Sequence, residues 1–237
     1  MLQIAIIGLS TFGKRMIDEL YAVGAELILI DRNAVVIDQY KAKAKACYVV
    51  DVANIKDSLE KLIPQTIDAA ILDFDDKLEP SILMTHFLHQ MGIKNIIVET
   101  QSDTHAELLE LAGATRIVYP ELEAAKNITP QLLSKKLSNY IQLSNDFAIA
   151  EIEISKELEG KTLKDSNFRS EFNLNVVACR IYGEEELKAL SDPNFVFTKD
   201  CNVVVAGTNE AINKYVNKHS PNSSYSEKSY LTRFFKK

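Results

Sequence analysis

The sequence predicts an α/β fold: a parallel sheet wrapped by helices, followed by a smaller α+β lobe. Three observations carry this. Over the first 120 residues, short apolar runs alternate with longer stretches of helical spacing, the pattern of strands joined by crossover helices. The first run leads straight into "IAIIGLSTFG", residues 4–13, where glycines at 8 and 13 punctuate a strand–turn–helix. After Pro120 the alternation stops, and the later strand-like runs are no longer separated by regular crossovers.

The expected strands of the first lobe are "QIAII", "ELILI", "CYVV", "DAAIL", "NIIVE" and "TRIVY". Met16, Ile17, Leu20, Tyr21 and Val23 recur at helical spacing after the first strand, and Gly24 is placed to stop that helix. Further helices are expected around 36–40, 55–62, 82–91 and 106–111. Six strands linked by right-handed crossovers make a Rossmann-type sheet the simplest solution. Beyond Pro120, "ELEAAKNITPQLLSKKLSNYIQL" reads as one long connecting helix with Pro130 inside it. "FAIAEIEI", "LNVVACRIY" and "CNVVVAG" read as strands, "GKTLKDSNF" as a turn and short helix, and "NEAINKYV" as a closing helix. The expected domains are therefore 1–120, a connecting region 121–144, a small lobe 145–218, and a polar tail 219–237. The serine-rich tail ends in Phe234, Phe235, Lys236 and Lys237, and its composition gives it little with which to build a core.

Composition narrows the function classes. The 237 residues carry a formal net charge of −6, which disfavours a nucleic-acid binder. No apolar run reaches the roughly 18 residues that span a bilayer, and no secretory leader is visible, so a cytosolic protein is expected. Cys47, Cys179 and Cys201 show no CxxC spacing and read as reduced, mostly buried thiols. His86 and His89 lie one helical turn apart without partners to complete a metal set. His105 is the histidine placed near a strand end where an oxidoreductase would need a base. No nucleophile motif, Walker lysine or Cys–His arrangement accompanies it, so a non-enzyme is expected.

The chemistry concentrates in the first turn. Gly8 permits the tight bend, Gly13 lets the first helix pack closely, and a phosphate would sit on the helix N-terminus. Asp31 ends the second strand, where a carboxylate accepts hydrogen bonds from ribose hydroxyls. Asp51 follows the third strand near an adenine edge. Ser10 stands where a third glycine would let backbone approach a phosphate, although its hydroxyl could donate a compensating bond. Asp73, Asp75 and Asp76 crowd the same sheet edge and Glu99 ends the fifth strand, so like charges oppose a phosphate there.

This layout resembles the RCK family (regulators of potassium conductance), particularly its KtrA/TrkA type. The motifs that carry the resemblance are "IGLSTFG", "LILIDRN", "CYVVDVAN", "MGIKNIIVETQS", "LAGATRIVYPE", "LEGKTLKDSNFR", "NLNVVACR" and "KDCNVVVAGT", spread over residues 3–217. It implies an RCK N-terminal nucleotide-binding domain, a crossover helix used in dimerisation, and an RCK C-terminal domain. It further implies a homo-oligomer, dimers closing into an octameric ring, that docks on the cytoplasmic face of a membrane potassium-translocating subunit of KtrB/TrkH type. The implied ligands are ATP or ADP for KtrA-type members and NAD(H) for TrkA relatives. Carried over by position, Gly8, Leu9, Ser10, Thr11, Phe12 and Gly13 form the phosphate turn, Asp31 and Arg32 the ribose end, and Asp51 and Val52 the adenine end. Glu121 matches a glutamate that helps hold a divalent cation, Mg2+ or Ca2+, and Arg169 a position linked to cyclic di-AMP. The sequence departs from the family where Thr11 replaces a common arginine and Glu99 a common basic residue. Two alternatives stand beside this assignment: an NAD(H)-dependent oxidoreductase, and a degenerate RCK subunit that forms the ring without sensing nucleotide.

Overall fold

The computed structural model of the chain describes residues 1–51, 59–75, 77–181, 183–184, 186–199 and 201–219. The chain divides into two compact units, Met1–Leu122 and Glu123–Lys237. The first holds strands β1 (Gln3–Ile7), β2 (Glu26–Asp31), β3 (Ala46–Val49), β4 (Ala69–Leu72), β5 (Ile96–Glu99) and β6 (Arg116–Val118). All neighbours pair in parallel, in the order β3-β2-β1-β4-β5-β6. This is the Rossmann-type sheet that the alternating pattern predicts. The order reverses between β1 and β4, and that switch point opens a crevice at the carboxyl ends of the strands.

Strand alternation explains the near-continuous apolar runs. Ala5, Ile7, Ile28, Ile30 and Leu72 pack into one cluster, while Ile4, Ile6, Leu27, Leu29 and Ile71 pack into another. Side chains of period two feed opposite faces, and helices cover both, so neither face can be polar. The helices are α1 (Thr11–Ala22), α2 (Ala34–Tyr40), α3 (Leu59–Leu62), α4 (Leu78–Gln90) and α5 (Asp103–Ala112). Of the helix expected over 55–62, residues 55–58 lie outside the described residues. Ser102 caps α5 by accepting from His105 N–H, and Gly113 ends it in the left-handed region at φ 108°. The exposed His89 ring lies against Gly113.

The second unit is an antiparallel sheet covered by helices. Its strands are β7 (Leu137–Gln142), β8 (Phe147–Glu153), β9 (Asn175–Ile181), β10 (Lys188–Ala189) and β11 (Cys201–Thr208), in the order β10-β9-β11-β8-β7. Helix α6 (Pro120–Leu133) leads into it, and α7 (Phe168–Phe172) and α8 (Asn209–Lys218) pack on it through Phe168, Phe172, Ile212, Tyr215 and Val216. The strands, the short helix and the closing helix expected here are all present. Residues 220–237, which hold nearly all of the expected tail, lie outside the described residues.

One expectation is overturned. The connecting helix does not run to residue 143; it ends at Leu133, and "LSNYIQ" is strand β7. The cause is a bulge between Leu137 and Asn139 in the pairing with β8. It places Leu137 and Tyr140, three residues apart, on the same buried face. A bulge inserts one residue into the alternation, so a strand acquires the three-residue spacing of a helix.

The three cysteines are free thiols, Cys179 and Cys201 buried and Cys47 half-buried. Burial pushes the Cys201 thiol up to about 12 and raises those of Cys179 and Cys47 as well. Because the thiolate is the reactive form, native protein treated with an alkylating reagent at pH 8 should carry at most one adduct, at Cys47. Peptide mass spectrometry would read this, with three adducts expected after denaturation. Modification of Cys201 in the native state would contradict the packing.

Candidate functional site

A cavity of about 590 Å³ opens at the switch point of the parallel sheet, lined by the β1–α1 turn, the ends of β2 and β3, and the β4–α4 loop. Its floor is the turn that the sequence singled out. Gly8 takes φ 80°, and a Cβ there would lie 2.0 Å from the Asp73 carbonyl oxygen. Only glycine joins that backbone conformation to that close approach. A Cβ on Gly13 of the size that every other residue carries would meet the Gly8 carbonyl oxygen at 2.8 Å, which is why the helix can start so close to the sheet.

Asp31 ends β2 and faces the turn. Its two carboxylate oxygens accept the backbone N–H groups of Leu9 and Asn33, each at 2.7 Å. Those bonds hold the carboxylate in place and leave further lone pairs for ribose hydroxyls. Ser10, Thr11, Arg32 and Asp51 line the cavity with it. Leu9 contributes its backbone, its side chain being buried in the core. Phe12 also packs on that core and does not line the cavity. Val52 and Asp76 lie outside the described residues.

Asp73 has a different role from the one its position suggests. It is not a loose charge on a rim: it is 1% exposed, and its carboxylate accepts the Gly13 N–H and the Ser10 hydroxyl, each at 2.6 Å. The Ser10 hydroxyl, expected to be free for a phosphate, is spent on that bond. Glu99 is 4% exposed and does not line the cavity. Sequence reasoning missed Lys14 and Lys77, which line the cavity with Arg32 and supply positive charge opposite Asp31, Asp51, Asp73, Asp75 and Glu79. Lys14 follows Ser10 by one helical turn, a spacing that could have placed it on the same helix face.

The remaining site residues lie elsewhere. Glu121 is exposed in the first turn of α6 and does not line the cavity. Among the described residues no three His, Cys, Asp or Glu side chains converge as a metal set. His105 is 5% exposed, with Ser81 at 2.7 Å from Nε2 and Thr100 at 3.0 Å from Nδ1. It ties α4, α5 and the end of β5 together and is not available as a base in the cavity. Arg169 lines a second cavity of about 330 Å³ in the C-terminal unit, with Lys164, Asn167, Phe168 and Asn175.

A Rossmann-type module with a carboxylate-bearing crevice, followed by a small antiparallel lobe, defines a two-lobed α/β protein. Residues 4–120 match the TrkA-N domain model and residues 147–219 the TrkA-C domain model. The chain belongs to the TrkA family of RCK proteins. It is 28% identical over 215 residues to Ktr system potassium uptake protein A of Bacillus subtilis, covering 91% of this chain and 96% of that protein. It is likewise 28% identical to Ktr system potassium uptake protein C of the same organism, covering 88% and 93%. Among solved structures, the GsuK channel bound to NAD superposes with a TM-score of 0.61 at 18% identity, over 99% of this chain and 44% of the channel chain. No described helix is long and apolar enough to cross a membrane.

Proposed function

We propose that this chain is the cytosolic regulatory subunit of a potassium uptake system. In this reading copies of the chain assemble as a ring on the inner face of a membrane potassium-translocating subunit, and an adenine nucleotide or NAD(H) bound in the N-terminal cavity biases the ring. The observation that carries the proposal is the open cavity at the switch point, with Asp31 held ready for a ribose, in a chain built from TrkA-N and TrkA-C lobes. Regulation then needs no chemistry. A ligand that prefers one ring conformation shifts the population toward it, and a ligand that binds both equally shifts nothing.

Two measurements test this. A thermal-shift panel of AMP, ADP, ATP, NAD+ and NADH should raise the unfolding temperature of the N-terminal lobe for at least one ligand. A stabilisation of about 1 kcal/mol corresponds to about 2–4 °C in a chain of this size. Light scattering should find a homo-oligomer larger than a dimer. A monomer at all concentrations would overturn the ring, and a flat panel would overturn nucleotide sensing.

Arg169 supports a second ligand in the C-terminal lobe. Its guanidinium can hold phosphate oxygens in a bidentate grip, and it lines the second cavity beside Lys164 and Asn175. Cyclic di-AMP is the ligand proposed there, and calorimetric titration that shows no heat with the wild-type protein would exclude it.

A further inference from the structure

We propose that Asp73 is the specificity-determining residue of the N-terminal cavity: its carboxylate fills the anion position at the start of α1, so that the cavity holds an adenosine-type ligand by its nucleoside and gains no affinity from added phosphates. The inference rests on the nucleotide-binding role proposed above and concerns which part of the ligand is recognised.

The first turn of a helix presents unpaired N–H groups and a partial positive charge, and an anion is the natural partner for both. In α1 nothing local supplies one. There is no acidic residue in its first turn, and Ser10, at the N-cap, makes no capping bond. The partner comes from across the sheet: Asp73 Oδ2 accepts the Gly13 N–H at 2.6 Å, and Oδ1 accepts the Ser10 hydroxyl at 2.6 Å. Both oxygens are engaged, and the one hydroxyl in the turn that could have donated to a phosphate is consumed.

The carboxylate is also anchored. The Asp73 backbone N–H donates to the Ile7 carbonyl at 3.0 Å, and its own carbonyl lies against Gly8 where no Cβ would fit. The side chain therefore has little freedom to swing away for a second anion. A phosphate approaching Gly13 would meet a buried like charge in a poorly screened setting, where repulsion is strongest. The ribose end is untouched, because Asp31 belongs to β2 and is held by other donors. Lys14 and Lys77, which line the same cavity, are the groups through which phosphates would gain affinity once the Asp73 charge is removed.

The test is calorimetric titration of the full chain with adenosine, AMP, ADP and ATP, using wild type and Asp73→Asn. Asparagine keeps the shape and an acceptor for the Gly13 N–H but removes the charge. Wild-type dissociation constants should agree across the panel within about threefold, whereas Asp73→Asn should bind ADP and ATP about tenfold or more tighter than adenosine. Tightening of tenfold or more from adenosine to ATP in wild type would overturn the proposal. So would a variant whose panel is as flat as the wild-type panel. Both outcomes leave nucleotide binding itself intact. No binding of any of these ligands by either protein, nor of NAD+ or NADH titrated alongside, would overturn that reading and this one together. Should Asp73→Asn fail to fold, the wild-type panel decides alone.

Discussion

Gly8→Ala should lower the free energy of unfolding by about 3–5 kcal/mol, from a steric clash added to backbone strain. The new Cβ would lie 2.0 Å from the Asp73 carbonyl oxygen and 2.8 Å from its carbonyl carbon. Both are backbone atoms of the neighbouring strand's end, so no side-chain rotation can relieve the overlap. Gly24→Ala is the matched control. Gly24 has nearly the same φ, 79° against 80°, but nothing lies within 4 Å of its Cβ position. Only the left-handed penalty applies there, about 1–2 kcal/mol. Urea denaturation of both variants separates clash from strain, and equal losses would show that the turn can open. The effect should reach ligand binding too, because the same overlap would push apart the Gly8 turn and the Asp73 clasp that form the cavity floor.

The second large effect is expected in the C-terminal lobe. Glu151 on β8 is 4% exposed and pairs with Arg180 on β9 at 2.9 Å. It also accepts from Asn139 on β7 at 2.7 Å and from Asn202 on β11 at 3.4 Å. One carboxylate thus joins four strands. Glu151→Ala leaves a guanidinium and two amides without this acceptor and should cost about 2–4 kcal/mol, below a fully buried pair because Arg180 keeps some contact with water. Glu151→Gln should cost less, since it keeps an acceptor of the same shape. Burial alone would raise the Glu151 carboxyl, but hydrogen bonds from Arg180, Asn139 and Asn202 outweigh it and hold the group below its ordinary value of 4.5. The unfolded chain therefore takes up this proton before the folded one does. The stabilisation is fully present above the unfolded value and is lost as pH falls from about 4.5 through the lower folded value. Stability measured from pH 6 to 3 should fall less steeply in Glu151→Gln than in wild type. Identical slopes would show that the cluster does not stabilise the lobe.

Much of the architecture could be read from local pattern. Apolar runs such as "ELILI" bury on both faces, helical spacing after Gly13 marks α1, and Gly8 announces a bend that other residues cannot make. The resemblance of the later motifs extended this to the second lobe. The pattern failed at β7, where a bulge gave Leu137 and Tyr140 the spacing of a helix. A bulge depends on the strand it pairs with, and no window along β7 contains that partner.

By itself, then, the sequence determined the two-lobed α/β fold, the turn at Gly8 and Gly13, and the carboxylate at Asp31. Periodicity and backbone conformation act over a few neighbouring residues and are written there. Only the tertiary structure decided that Asp73 caps α1, that Ser10 is spent on it, that Lys14 and Lys77 share the cavity and that His105 is a buried tie. Asp73 and Gly13 are 60 residues apart in the chain. A charge that looks repulsive in sequence becomes a cap when folding brings it onto an unpaired N–H, and only the fold makes that meeting.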